Sequence, residues 1–264
     1  MAWPQLTAPK SLVEDTVVLG QVAQINPQDI AIALPNNLTG FVPIHRISSA
    51  LTKALNAILN DDDDEKEDDA DVPSLYTLFT VGQWLRTVVI ENTTHIAVSD
   101  NTKKKHIELS LEPEVVNGCV HFEDILRPKT LLQVSVSSFE DHGIIVDLGL
   151  ENFSGFIKTS ALGSYAVENI HIGQVFLAVV KDKPKNKVVQ LSLDLEASRT
   201  PIKDVIDIAD LLPGDTVQCL VSEVRAAGAG GKVLGMLDAT IDKLHIGTAS
   251  VDENETVRDY LGTV

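Results

Sequence analysis

The chain has 264 residues, 44% of them hydrophobic and only 5% aromatic, and a formal net charge of −17. That length suits two or three domains, and the apolar fraction gives each enough to bury a core. No apolar run approaches the roughly 18 residues that a membrane-spanning helix requires. The opening MAWPQLTAPKS has no basic stretch followed by an apolar one, the mark of a secretory signal. The cysteines, Cys119 and Cys219, lie far apart and outside any CxxC spacing, which argues against a disulfide scaffold and for a reducing compartment, cytosol or nucleus.

In chain order, the first element is TVVLGQVAQI (16–25), with apolar residues at close to every second position, the period of a half-buried strand. The turn NPQD follows, then strands IAIAL (30–34) and GFVPI (40–44). SSALTKALNAILN (48–60) places Leu51, Ala54, Leu55, Ile58 and Leu59 on one helical face, with serines suited to capping its start. Packing on its own domain is the expected role of this helix, with binding to a partner as the alternative. Next, DDDDEKEDDAD (61–71) holds nine acids and one lysine. Like charge at this density repels itself and buries nothing, so the tract reads as disordered. It carries about half of the acidity; the remaining −9 is spread over the rest. That profile lacks the basic face of a strongly DNA-binding domain. VGQWLRTVVI (81–90) and IELSLE (107–112) are two further strands, with the basic loop TKKKH (102–106) before the second.

The pattern then returns. TLLQVSVSSF (130–139), IIVDLGL (144–150), GFIKT (155–159), IGQVFLAVV (172–180) and VQLSLD (189–194) repeat the five elements in order, with the turn EDHG after the first and the basic loop KDKPKNK (181–187) before the last. A third round starts at DTVQCLVSEV (215–224). It continues past the turn AAGAGG with KVLGMLDA (232–239) and ATIDKLHI (239–246), and stops where strand four is due, so a parent chain longer than Val264 is expected. Five short strands of even spacing with turn residues between them fit a small closed barrel of the OB type. The fold class expected is therefore all-β: tandem five-stranded OB-fold barrels, two complete (about 12–112 and 125–195) and a third incomplete (210–264), with a helical and acidic insertion at about 49–78 in the first.

The recurrent order G-x-V, a turn with Gly, G-[FL]-[VI], G-Q and L-S-L resembles the S-one domain. This is the OB-fold RNA-binding repeat of a bacterial small-subunit ribosomal protein, exoribonucleases and ribosome-assembly factors. The resemblance covers nearly the whole chain apart from the first dozen residues and the acidic tract. INPQDIAIALPNNLTGFVPI, IELSLEP and HGIIVDLGLENFSGFI are similar, more closely, to the N-terminal repeats of a eukaryotic multi-domain ribosomal-RNA-processing factor. The resemblance implies an RNA face with two aromatics flanking the turn before strand two, a His in strand three and a basic residue near strand five. The second repeat has His142 and Ile145 at the aromatic positions and Lys158 at the His position. The first has Gln28, Ala31 and Pro43 there, and the third has Asp242. The stacking surface implied by the family is thus reduced in all three units, least in the second.

Two lysine clusters fall at equivalent corners, Lys103, Lys104 and Lys105 in the first unit and Lys181, Lys183, Lys185 and Lys187 in the second. Together with His142 and Lys158 they are the candidate RNA-binding residues, since lysines that line one edge neutralise phosphates. Solvated hairpin tips kept soluble by lysine are the plainer reading of the same clusters. The repeated Gly-Phe step reads structurally: Gly allows the dihedrals where a loop becomes a strand, and Phe41 or Phe156 fills the barrel. AAGAGGKV around Lys232 departs from a phosphate loop, with Ala226 at the first Gly position, Val233 in place of Ser or Thr, and no helix following. There is no GxSxG, no HExxH, no Cys/His metal spacing and no calcium loop. No catalytic residue, metal or other cofactor, small-molecule substrate or membrane partner is therefore expected. The function expected is a non-enzymatic scaffold in the nucleolus or nucleus, contacting precursor ribosomal RNA and ribosome-assembly proteins during pre-rRNA processing. The alternative is a purely protein-docking array of barrels.

If the acidic tract contributes nothing to the packed structure, deleting Asn60–Val72 leaves the melting temperature nearly unchanged in calorimetry. A large drop would make the tract an integral element.

Overall fold

The structure, a computed structural model, describes residues 12–35, 38–60, 73–96, 103–118, 126–182, 184, 187–195, 211–225, 228–233, 235 and 237–242. The acidic tract, Lys183, Lys185 and 243–246 lie outside them. The chain divides into two units, Met1–Ser198 with Leu212–Gly214, and Arg199–Leu211 with Asp215–Val264. In the first unit, β1 (Val17–Ile25), β2 (Asp29–Leu34), β3 (Leu38–Pro43), β4 (Trp84–Ile96) and β5 (Lys103–Ser110) close into a barrel of order β1-β2-β3-β5-β4. Between β3 and β4 lie α1 (Ser49–Asn60) and the short α2 (Leu75–Leu78), and α3 (Pro113–Asn117) follows β5. The same closure recurs with β6 (Leu131–Glu140), β7 (Gly143–Asp147), β8 (Ser154–Lys158), β9 (Val175–Val180) and β10 (Val188–Ser192). In the second unit β11 (Cys219–Arg225), β12 (Gly228–Val233) and β13 (Leu237–Asp242) form a three-stranded antiparallel sheet.

The motifs that repeat in the sequence are the points where each barrel is joined. The first strand of every repeat carries a bulge at the same place, between Val22 and Gln24, Val136 and Ser138, and Val221 and Glu223. A bulge bends and twists a strand, as a closing barrel requires. In both complete barrels the closure pairs the third strand with the fifth in parallel. A Cβ on Gly40 would collide with the Leu109 side chain, and one on Gly155 would lie 2.5 Å from Val146 Cγ2 and 2.6 Å from Leu191 Cδ1. The Gly of the Gly-Phe step is thus the space that the first Leu of Leu-Ser-Leu fills. The Ser hydroxyl and the second Leu amide then hold the short turn after strand three. Ser110 Oγ (3.4 Å) and Leu111 N (2.8 Å) both donate to Arg46 O, as Ser192 Oγ (3.1 Å) and Leu193 N (2.9 Å) do to Ala161 O. The Gly-Gln step is the turn into strand four. Gly82 and Gly173 have φ of 93° and 83°, and the Gln side chains accept from Thr80 N (3.4 Å) and His171 N (3.0 Å).

Three expectations change, and a fourth gains a further contact. Lys103–Lys105 lie in β5, paired with Ile96, His95 and Thr94, because the β-branched run after Ile90 prolongs the hairpin ladder. The Gly-rich segment 228–231 is strand β12 instead of a turn, and β13 starts at Leu237. Glycine is accommodated there because the backbone of Gly231 packs closely on Leu220 and Cys219 across the ladder. Phe41 and Phe156 are half-buried on the outer side of their barrels, while Val42 and Ile157, 0% and 1% exposed, fill the cores. The expectation for this step is one residue out of phase, and in a strand one residue is the opposite face. Helix α1 does pack on its own barrel, where Leu51 joins the first core, and it also touches the second barrel at Gly173.

That last contact belongs to a polar seam between the barrels. Beyond Ser110, which pairs with Val88, β5 leaves the ladder before reaching the position opposite Arg86. The Gln133 carboxamide takes that place. Its Oε1 accepts from Arg86 N at 3.4 Å, and its Nε2 donates to Arg86 O at 2.9 Å and Leu111 O at 3.3 Å. The Arg86 side chain, 0% exposed, runs along the joint, donating from Nη1 to Leu131 O at 2.8 Å and from Nε to Pro213 O at 2.9 Å. Asn117 of α3, equally buried, donates to Gln133 O (2.7 Å) and Leu148 O (2.8 Å). Ser48 Oγ donates to Gly173 O (2.8 Å) and Gln83 Nε2 to Val175 O (3.1 Å).

Removing the guanidinium leaves one buried and one partly buried carbonyl without these donors. Arg86→Ala is therefore expected to cost about 3 kcal/mol in urea unfolding. A cost below about 0.5 kcal/mol would mean that the seam hydrogen bonds are replaced by water.

Candidate nucleic-acid interface

The outer surface of β8 is set by strand alternation. Gly155 and Ile157 point into the second core, so Ser154, Phe156 and Lys158 share the outward face. Across the β7 ladder Phe156 is opposite Ile145 and Lys158 is opposite Gly143. His142 is exposed in the β6–β7 turn, and its carbonyl accepts from Thr159 N at 3.1 Å, which holds that turn beside Lys158. At the other end of β8, Lys187 O accepts from Ser154 N at 3.1 Å, and Lys187 is exposed with φ of 65°. Lys181, also exposed, donates its amide to Gln190 O (2.9 Å), and Gln190 lies opposite Phe156 in the β8–β10 pairing. The strand thus carries a half-buried aromatic ring midway between Lys187 and Lys158, with the four-residue step from Ser154 to Lys158 spanning about 13 Å.

The equivalent face of the first barrel is built alike and charged differently. Phe41 is opposite Ala31 and Glu108, and its ring stacks on His106 with centroids 5.7 Å apart and planes 10° from parallel. Gln28 O accepts from Ile44 N at 2.9 Å, the counterpart of His142 O and Thr159 N. The nearby Arg46 is flanked by carboxylates, Glu108 and Glu112, each at 3.7 Å. In the second unit Gly228 is opposite Asp242, the pairing position of Pro43 and Lys158 in the other repeats. Lys232 there pairs with Asp238 at 2.7 Å.

Of the candidate residues that the sequence offers, His142, Lys158, Lys181 and Lys187 are therefore brought to the β7–β8–β10 edge of one barrel. Lys103–Lys105 lie on the β4–β5 hairpin of the other. Phe41 and Phe156 are surface aromatics that sequence reasoning misses, because it sends the Gly-Phe step into the core, and His106 is missed because it is read as part of a loop. The alternation Gly-Phe-Val and Gly-Phe-Ile is the available signal: a barrel that needs Gly inside at one position turns the next side chain outward.

Closed five-stranded barrels in tandem, with this joint and these outer faces, define a protein of the OB-fold repeat class. No protein-family model matches the chain. It is 36% identical over 89% of its length to the rRNA biogenesis protein rrp5 of Schizosaccharomyces pombe. Against the human Protein RRP5 homolog it is 31% identical over 92%. It covers only 14% and 13% of those two proteins. The small ribosomal subunit protein bS1 of Helicobacter pylori is 26% identical over 62% of the chain and 29% of its own length. The chain is thus a relative of the RRP5 proteins of rRNA biogenesis, spanning about one seventh of their length.

Proposed function

We propose that these barrels are non-enzymatic scaffold repeats of a nucleolar ribosome-assembly factor, and that they contact precursor ribosomal RNA and other assembly proteins. The observation that supports RNA contact is the outer face of β8, an aromatic ring set between basic residues on one strand. OB-folds hold single strands by stacking bases on such rings while cations track the backbone. The similarity to rRNA biogenesis proteins points to the same class of ligand. Binding is expected to be weak in isolation. The aromatic platform is sparse, and the formal charge of −17 opposes phosphate approach. The second barrel is the stronger site, because Arg46 on the first is flanked by carboxylates. The observation that favours protein docking instead is that same acidity.

Binding of a short oligo-uridine, followed by fluorescence anisotropy against salt, should weaken steeply, with a slope of about −0.7 per phosphate neutralised. Replacing Lys181, Lys183, Lys185 and Lys187 with Gln should flatten the slope by about 0.7 for every phosphate that is no longer neutralised, while folding stays intact. Lys103, Lys104 and Lys105 should contribute in the same way, and His142→Ala should matter less. If the lysine replacements change nothing while association with a protein partner collapses, the RNA reading fails and the docking array replaces it.

A further inference from the structure

The lysine-bearing edge leaves unexplained a groove of about 510 Å³, lined by Pro73, Ser74 and Thr77 from the approach to β4 and by Phe139, Ile170 and Ile172 of the second barrel. Phe139 is 40% exposed and Ile172 49% exposed, large apolar surfaces left open to water. The bulged ladders align Phe139 with Ile25 of the first barrel, since both are opposite the second residue of the next strand, Ile144 and Ile30. Ile25 is partly buried against its core, whereas the larger Phe139 at the same place is uncovered. Among the described lining residues, His171 is the one ionisable side chain. The flanking residues are acidic: Glu140 and Asp141 follow Phe139, Glu168 precedes Ile170, and all three are exposed. A groove with apolar side chains at its centre, and with exposed carboxylates on residues that adjoin its lining in the chain, opposes a phosphate backbone and fits a cation-bearing chain with apolar side chains.

We propose that this groove is a docking site for an extended, lysine- or arginine-rich segment of a partner protein, which inserts an aliphatic or aromatic anchor against Phe139 and Ile172. The proposal rests on the protein-contacting part of the function proposed above and is independent of its RNA part. The anchor supplies affinity by covering apolar surface that is now wet, and the basic flanks supply rate and register against Glu140, Asp141 and Glu168. The groove takes one wall from each barrel, so its shape depends on the joint that Arg86 and Gln133 hold.

The test uses the full chain and a fluorescein-labelled peptide alternating Lys with Leu and Phe. A control peptide of equal charge carries Ser at the apolar positions, and oligo-uridine is the third probe. The expected result is that the apolar peptide binds more tightly than the serine peptide, and that Phe139→Ser and Ile172→Ser each weaken it about tenfold. Both side chains are exposed, so folding should survive, and Ile172→Thr serves as a milder second variant. Oligo-uridine affinity should be unchanged by these variants and lowered by the lysine replacements, which separates failure of the groove from failure of the RNA reading. Equal binding of the two peptides, or no effect of the groove variants on the apolar peptide, would overturn the proposal. So would variants that weaken oligo-uridine instead, which would make the groove a nucleic-acid site.

Discussion

A side-chain amide that completes another barrel's ladder is the constraint on which the first unit depends. Gln133 meets both the N–H and the C=O of Arg86 where β5 has already departed. In effect the second barrel lends the first one rung of sheet. The rung carries orientation as well as affinity, because a two-point hydrogen bond to backbone fixes both the position and the direction of its donor. Around it, Arg86 and Asn117 tie three stretches of chain, at Leu131, Leu148 and Pro213, to the same joint.

Polar groups this deeply buried are costly unless fully paired, and apolar packing of similar volume would stabilise at least as well. What a polar seam adds is discrimination. An apolar face can slide, whereas buried donors and acceptors displaced by a fraction of a residue are left without partners at about 1–3 kcal/mol each. The burial of both faces of β9, and of β6 from Leu131 to Val136, follows from the joint: one face fills its own barrel and the other lies under the first barrel. Val175 even belongs to the first barrel's apolar cluster. With that side committed, the second barrel leaves its β7–β8–β10 side, carrying Phe156, Lys158 and Lys187, facing outward.

The barrels themselves are legible in the sequence because their junctions are written in residues with few alternatives. Gly40 and Gly155 leave room for a leucine, and Ser110 and Ser192 are the hydroxyls that hold a turn. The joint is not legible, because Arg86 and Gln133 each look like ordinary polar positions of an alternating strand. The sequence does hold a hint in VFLAVV and LLQVSV, which are too continuously apolar for strands with one wet face. The candidate site is half legible. Lys158 and His142 can be placed by their positions in the repeat, whereas Phe156 goes to the wrong face because a strand taken one residue out of phase is inverted. Lys103–Lys105 look like a loop because nothing in a run of lysines shows how far the paired Thr93–Ile96 prolong the hairpin.

The central claim is that the two complete barrels are held as one body by the Arg86–Gln133–Asn117 joint. Backbone N–H residual dipolar couplings in a weakly aligned sample test it most directly. The account predicts that couplings from strands β1–β5 and from strands β6–β10 fit a single alignment tensor, and that Arg86→Ala splits them into two. Couplings from the unaltered protein that demand separate tensors for the two barrels would contradict it.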